Sequence, residues 1–206
     1  CLWASFPDPH MPFDCPEPWS RLHHPDDVDL PPFRTRELEK RPWWHKAYVE
    51  DRSVDPELDV AIYDHQQFLD RLPRRNGRAR NYNDSDLQLR HTIANYYGMI
   101  SLIDHNIGRI LISLEEKGMA QNTIVIYTSD HGDWLGDHGM MLKGPMFYEG
   151  LLRVSMILKG PRIPEGKISG IPVSNTDLAA TVLEWCGISA AYPMHGKSIK
   201  SLVENK

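Results

Sequence analysis

The chain has 206 residues, and 23 lysines and arginines against 28 aspartates and glutamates leave a net charge of -5 with histidine neutral. That acidic balance argues against a general nucleic-acid binder, while 41% hydrophobic and 25% charged residues exclude a disordered tail. No apolar run approaches the roughly 18 residues of a membrane span, and three scattered cysteines, Cys1, Cys15 and Cys186, make neither a disulfide framework nor a CxxC metal motif.

Cys1-Leu2-Trp3-Ala4-Ser5-Phe6 is apolar and β-favouring, and reads as a chain that starts inside a strand, as part of a longer protein. Closely spaced prolines in Pro7-Asp8-Pro9-His10-Met11-Pro12 forbid helix and force a turn. From Asp14 to about Asn83 the sequence is irregular and rich in Pro, Asp, His and Trp, the signature of an inserted loop region over a rigid scaffold. Within it a short helix is expected over 61–72, followed by a basic turn over 74–80. His23-His24 reads as surface loop in preference to pocket lining, and Trp43-Trp44 as a packing anchor in preference to a ring platform. Arg74, Arg75, Arg78 and Arg80 read as a solvated turn in preference to a polyanion site.

Asp84 or Ser85 caps a helix expected to run to about Lys117 and stop at Gly118. Its apolar positions Leu89, Ile93, Tyr96, Ile100, Ile103, Ile107, Ile110 and Leu114 recur by threes and fours, which predicts one continuous buried stripe. Thr123–Thr128 is a short β-branched run of the kind found in central parallel strands buried on both faces. A second strand is expected over 153–158. A last helix starts at Asn175 or Thr176, continues to Trp185 and closes at Cys186-Gly187. The order helix, strand, loop, strand, helix argues for an α/β sandwich with a mostly parallel central sheet and helices on both faces.

Chemistry concentrates in the loop between the two strands, Ser129-Asp130-His131-Gly132-Asp133-Trp134-Leu135-Gly136-Asp137-His138-Gly139-Met140-Met141-Leu142-Lys143-Gly144. Open α/β sheets place ligand sites beyond the carboxyl ends of their strands. Asp130 and His131 offer one oxygen and one nitrogen, a donor pair suited to Ca2+, Mg2+, Mn2+ or Zn2+. Lys143 would bring a positive charge to an anionic substrate. Asp-His-Gly alone reads as an ordinary polar loop in which Asp130 caps a turn, in preference to a metal site.

The whole string resembles the C-terminal half of the sulfatase family, within the alkaline-phosphatase-like superfamily. The resemblance rests on Ser129-Asp130-His131-Gly132, Leu135-Gly136-Asp137-His138-Gly139, Lys143-Gly144, Tyr148-Glu149 and Arg153-Val154. Collinear with these are Phe6-Pro7-Asp8-Pro9-His10 with Pro12-Phe13, the helix motif Tyr96–Asp104 with Ile107–Leu111, and Asn175–Thr181. It implies that residues 1–206 form the C-terminal part of a catalytic domain, with 14–83 a substrate-side insertion and 84–206 the regular α/β core. It further implies that Asp130 and His131 are metal ligands to one divalent cation, calcium foremost. By the same resemblance Lys143 contacts the sulfate, His10 hydrogen-bonds the substrate and protonates the leaving group, and His138 is a weaker substrate-side candidate. The implied partners are a sulfate-ester small molecule or glycan, and the N-terminal half of the same enzyme or a second chain. No nucleic acid and no membrane span are implied.

In the family a Cys/Ser-x-Pro-x-Arg motif yields a formylglycine nucleophile. Residues 1–206 hold no such motif, since Cys15-Pro16-Glu17-Pro18-Trp19 has its prolines misplaced and no arginine. The family's early aspartate pair is also absent, so this stretch alone is expected to be inactive. Ser155, where relatives commonly carry proline, is a minor departure. A phosphonate monoester or phosphodiester hydrolase of the same superfamily, and a non-catalytic module that keeps the scaffold, are the competing expectations.

Overall fold

The computed structural model describes residues 1–31, 41–42 and 86–204. The helix expected over 61–72, Trp43-Trp44, the arginines of 74–80 and the cap at Asp84 or Ser85 lie outside the described residues. The chain divides into two compact units, Cys1–Ile110 with His131–Arg153, and Leu111–Asp130 with Val154–Lys206.

The first unit is organised on α1 (Asp86–Glu116), whose buried positions are Leu89, Ile93, Ala94, Gly98, Met99 and Ile103. These positions recur at intervals of four and one and so wrap more than one face of the helix, and Val28, Leu89, Ile93 and Ala94 pack together with Leu30, Leu135 and Met141. The N-terminal turns pack against the same helix. Asn95 Nδ2 donates to the Phe13 carbonyl at 3.2 Å, Arg90 donates to the Val28 carbonyl, and Phe13 meets Tyr96 edge-on. His23, expected on a surface loop, is half-buried, with Nε2 3.0 Å from Ser101 Oγ and its ring against Tyr97.

The expected continuous stripe is only partly realised. Ile100 and Ile110 are 42% and 37% exposed, because helical spacing aligns residues on a face but burial needs a surface against that face. The helix closes as expected, with Gly118 N–H on the Glu115 carbonyl and Met119 N–H on that of Leu114. The opening segment is a second correction. Leu2 and Trp3 are 85% and 86% exposed and Leu2–Phe6 forms no strand. Such side chains favour a strand only where a neighbouring strand pairs with it.

In the second unit β1 (Val125–Thr128) pairs with β2 (Met156–Lys159), Val125 opposite Lys159 and Thr128 opposite Met156. The pairing is antiparallel, and among the described residues the sheet has these two strands. The expected parallel character therefore does not hold for this pair. A β-branched run reports burial on both faces and carries no information on the direction of its neighbour. Burial is also less complete than the run suggests: every residue of β1 is half-buried, and β2 alternates half-buried and exposed.

α3 (Asn175–Cys186) begins on a reciprocal cap, in which the Ser174 side chain accepts at the first turn and Asp177 Oδ2 accepts the Ser174 N–H at 2.8 Å. Asp177 Oδ1 also accepts the Lys197 N–H at 2.8 Å, and Thr181 Oγ1 accepts that of Ile199 at 3.0 Å. These bonds stitch α3 to the segment leading into α4 (Lys200–Glu204). A one-turn helix, α2 (Glu149–Leu152), belongs to the first unit. No described helix is long and apolar enough to cross a membrane, and all three cysteines are free thiols.

The Lys197 and Ser174 amides, in that order, and then the Lys197 charge hold the Asp177 carboxyl below its ordinary pKa. A depressed folded-state pKa contributes stability above the unfolded value of about 3.9, and that stability is lost as pH falls through the folded pKa. Thermal denaturation from pH 7 to 3 should show Asp177→Asn melting below wild type at neutral pH, with the gap narrowing below about pH 4. Ser174→Ala should cost about 1 kcal/mol at neutral pH.

Candidate active site

β1 ends at Thr128, and Ser129 leads to Asp130, which is exposed, and His131, which is half-buried. Beyond His131 the chain folds on itself. Asp133 Oδ1 accepts the Leu135 N–H at 2.9 Å and the Leu142 N–H at 3.0 Å, while Trp134 N–H donates to the Leu142 carbonyl at 3.0 Å. A single carboxylate oxygen thereby ties the two ends of a nine-residue excursion together. Trp134 fills the space beneath, buried with Met140, Met146 and Leu151. Gly136, at φ +99, makes the tight turn, and a Cβ there would meet the Leu89 side chain at 2.9 Å. Gly132 is needed for close approach, since its Cβ would strike the Gly150 carbonyl while its own N–H bonds the Leu151 carbonyl at 2.9 Å.

Closing the excursion at Leu142 returns Lys143 to the start of the loop. Lys143 Nζ lies 3.0 Å from His131 Nε2, and His131 Nδ1 lies 2.8 Å from the Gly132 carbonyl oxygen. A carbonyl can only accept, so Nδ1 carries the proton and Nε2 offers its lone pair to the ammonium. Burial pushes the Asp133 carboxyl above its ordinary pKa, opposed by the Leu135 and Leu142 amides and then by the positive charge of Lys143.

The structure thus brings His131 and Lys143 into direct contact, with Asp130 the covalent neighbour of His131. His138 sits at φ +55 with its ring stacked on Tyr148, centroids 3.9 Å apart, and the Arg41 guanidinium lies 5.6 Å from the Tyr148 ring centre. His10 is on a separate turn, exposed, its Nδ1 2.7 Å from the Met11 carbonyl oxygen. That turn borders an open depression lined by Pro7, Asp8, His10, Met11, Pro12 and Asp14. Among the described residues no group of three or more His, Cys, Asp or Glu side chains is gathered for a metal. The donor types of the pair nonetheless fit a hard cation: a carboxylate on Asp130 and, on the next residue in sequence, an imidazole lone pair that already faces a positive charge.

A family model described as Sulfatase matches residues 2–188. The chain belongs to the sulfatase family. It is 32% identical over its whole length to an arylsulfatase of Clostridium perfringens, covering 37% of that protein. It is 38% identical to an N-acetylglucosamine-6-O-sulfatase of Bacteroides thetaiotaomicron over 54% of this chain and 20% of that one. A crystal structure of the phosphonate monoester hydrolase of Agrobacterium radiobacter superposes on 96% of the chain and 36% of its own length, with TM-score 0.70 and 29% identity. The chain therefore has an α/β fold of the alkaline-phosphatase-like kind, and spans a fifth to two-fifths of the length of these relatives.

Two residues that organise this sulfatase loop carry little sequence signal. Asp133 is one aspartate among several polar neighbours, and only the pairing of its Oδ1 with Leu142, nine positions on, reveals its role. Asn175 reads from sequence as a helix start alone. Asp133→Ala should leave the two amides unsatisfied at a cost of about 1–3 kcal/mol and release Lys143 from His131. Asp133→Asn, which keeps an acceptor, should retain both. Long-range nitrogen–proton NMR of the His131 ring would show a fixed Nδ1–H tautomer in wild type and Asp133→Asn, and averaged tautomers in Asp133→Ala.

Proposed function

We propose that the protein hydrolyses sulfate esters with the help of a divalent cation held in part by Asp130 and His131. The observation that carries this reading is the commitment of the His131 ring: Nδ1 is spent on Gly132 and the Nε2 lone pair is directed at positive charge. The sulfatase match over residues 2–188 and the names of the two sulfatase relatives support the substrate class. The reading takes residues 1–206 as the C-terminal part of the catalytic domain. The nucleophile and the first pair of metal ligands then come from outside these residues, either from the N-terminal half of the same enzyme or from a second chain. By this reading residues 1–206 alone are inactive.

When bound, the cation supplies charge neutralisation on the sulfate oxygens and an electrophilic pull on sulfur. Asp130 and His131 would hold it by a carboxylate oxygen and Nε2, with calcium first among the candidate ions. Lys143, already within hydrogen-bonding distance of His131, moves its ammonium onto a sulfate oxygen and steadies the charge that builds as the ester bond breaks. His10 donates a proton to the departing alkoxide. His138 contributes by holding Tyr148 and the shape of the loop behind Lys143.

A second reading, phosphonate monoester hydrolysis with the same residues, is favoured by the superposition of the Agrobacterium radiobacter hydrolase on nearly the whole chain. Turnover of paired aryl sulfate and aryl phosphonate monoesters by the intact protein separates the two. The sulfate ester should be the faster substrate, chelation should abolish turnover, and added cation should restore it. Loss of Asp130 or His131 should remove several kcal/mol of transition-state stabilisation, roughly 100-fold or more in rate. Preference for the phosphonate would replace the first reading with the second. Turnover of neither ester would leave a non-catalytic module.

A further inference from the structure

We infer that Asn175 is a positioning residue that sets the aim of Asp130 by clamping the peptide bond in front of it, an inference that rests on the proposed cation site. Asn175 Nδ2 donates to the Ser129 carbonyl oxygen at 2.8 Å, and Asn175 Oδ1 lies 3.1 Å from Thr128 Oγ1. The Ser129 carbonyl can only accept, so the amide nitrogen must face it and the amide oxygen must take the Thr128 hydroxyl hydrogen. Both ends of the amide are committed, in one orientation, on two consecutive residues at the end of β1.

The consequence for Asp130 follows from covalent geometry. The Ser129 carbonyl and the Asp130 N–H belong to one planar peptide unit. Holding that carbonyl fixes the plane from which the Asp130 Cα and Cβ depart, at the point where strand pairing has already ended, since the ladder stops at Thr128 opposite Met156. Asn175 is itself held, being the first residue of α3 directly after the Ser174 cap. All of these residues lie in one compact unit, so the clamp joins α3 to β1 within a single body. Helix formation does not call for this side chain, because the N-cap function is performed by Ser174 and Asp177. A half-buried asparagine spanning two positions just before a ligand aspartate has its rationale in the loop it holds.

The test is calorimetric titration of the intact protein with Mn2+, alongside Asn175→Ala, Thr128→Val, Asp130→Asn and Ser174→Ala. Asn175→Ala should weaken Mn2+ binding roughly tenfold, and Thr128→Val should weaken it less. The electron paramagnetic resonance lines of the bound ion should broaden in Asn175→Ala as its ligand set loses definition. Ser174→Ala weakens the same helix end without touching Ser129, so it should lower Tm and leave the Mn2+ affinity at the wild-type value. If Asn175→Ala fails to fold, Thr128→Val carries the test by itself. Wild-type Mn2+ affinity in Asn175→Ala, or in Thr128→Val where it stands alone, overturns the clamp while leaving the cation site in place. So does a loss in Ser174→Ala as large as that in Asn175→Ala. Absence of Mn2+ binding in wild type, or undiminished binding in Asp130→Asn, overturns the cation site and the clamp with it.

Discussion

One half-buried carboxylate oxygen holds the loop of the site together. Asp133 Oδ1 receives amides from Leu135 and Leu142, and this double acceptance turns a stretch of glycines and polar residues into a closed excursion over Trp134. Charge is costly to bury, and the raised pKa of Asp133 records that cost. Two amides and the nearby positive charge of Lys143 offset it. An acceptor that takes both amides closes the loop and locates Lys143 as a by-product, one residue beyond Leu142.

From that closure the chemistry of His131 follows. With Nδ1 donating to the Gly132 carbonyl, the ring is held in one tautomer and one orientation, and its remaining lone pair meets the Lys143 ammonium. An imidazole so arranged is a ready donor to a cation, and the ammonium stands where positive charge is wanted. In the proposed reading the same lysine would be close at hand for an anionic ester, with His131 holding the cation. Arrangement and family membership point in one direction, although they come from independent facts, a pair of hydrogen bonds and a match over residues 2–188.

What could be read in advance was the part governed by local periodicity. α1 was legible from its threes and fours down to its glycine stop, and α3 from its polar start and from Gly187, which adopts φ +68. β1 and β2 were legible as short apolar runs, each displaced by two or three residues from the expected start. Strand direction was not legible, because β-branched residues report burial and not the heading of a neighbour, and β1 and β2 pair antiparallel. The opening segment failed for a related reason: its side chains suit a strand, but a strand exists only in a pair. At the site, Asp130, His131 and Lys143 stood out through a string of residue types that matches a family. Asp133 and Asn175 did not, since their roles lie in hydrogen bonds to backbone groups up to 46 positions away.

The central claim is that Asp130 and His131 together grip a doubly charged ion. Its most direct test is anomalous X-ray diffraction from crystals of the intact protein grown with Mn2+ and measured on both sides of the manganese edge. A manganese peak bonded to an Asp130 carboxylate oxygen and to His131 Nε2, with the Lys143 ammonium moved off the imidazole, is the result this account predicts. Lys143 still seated on Nε2, with the manganese signal absent from both side chains, would contradict it.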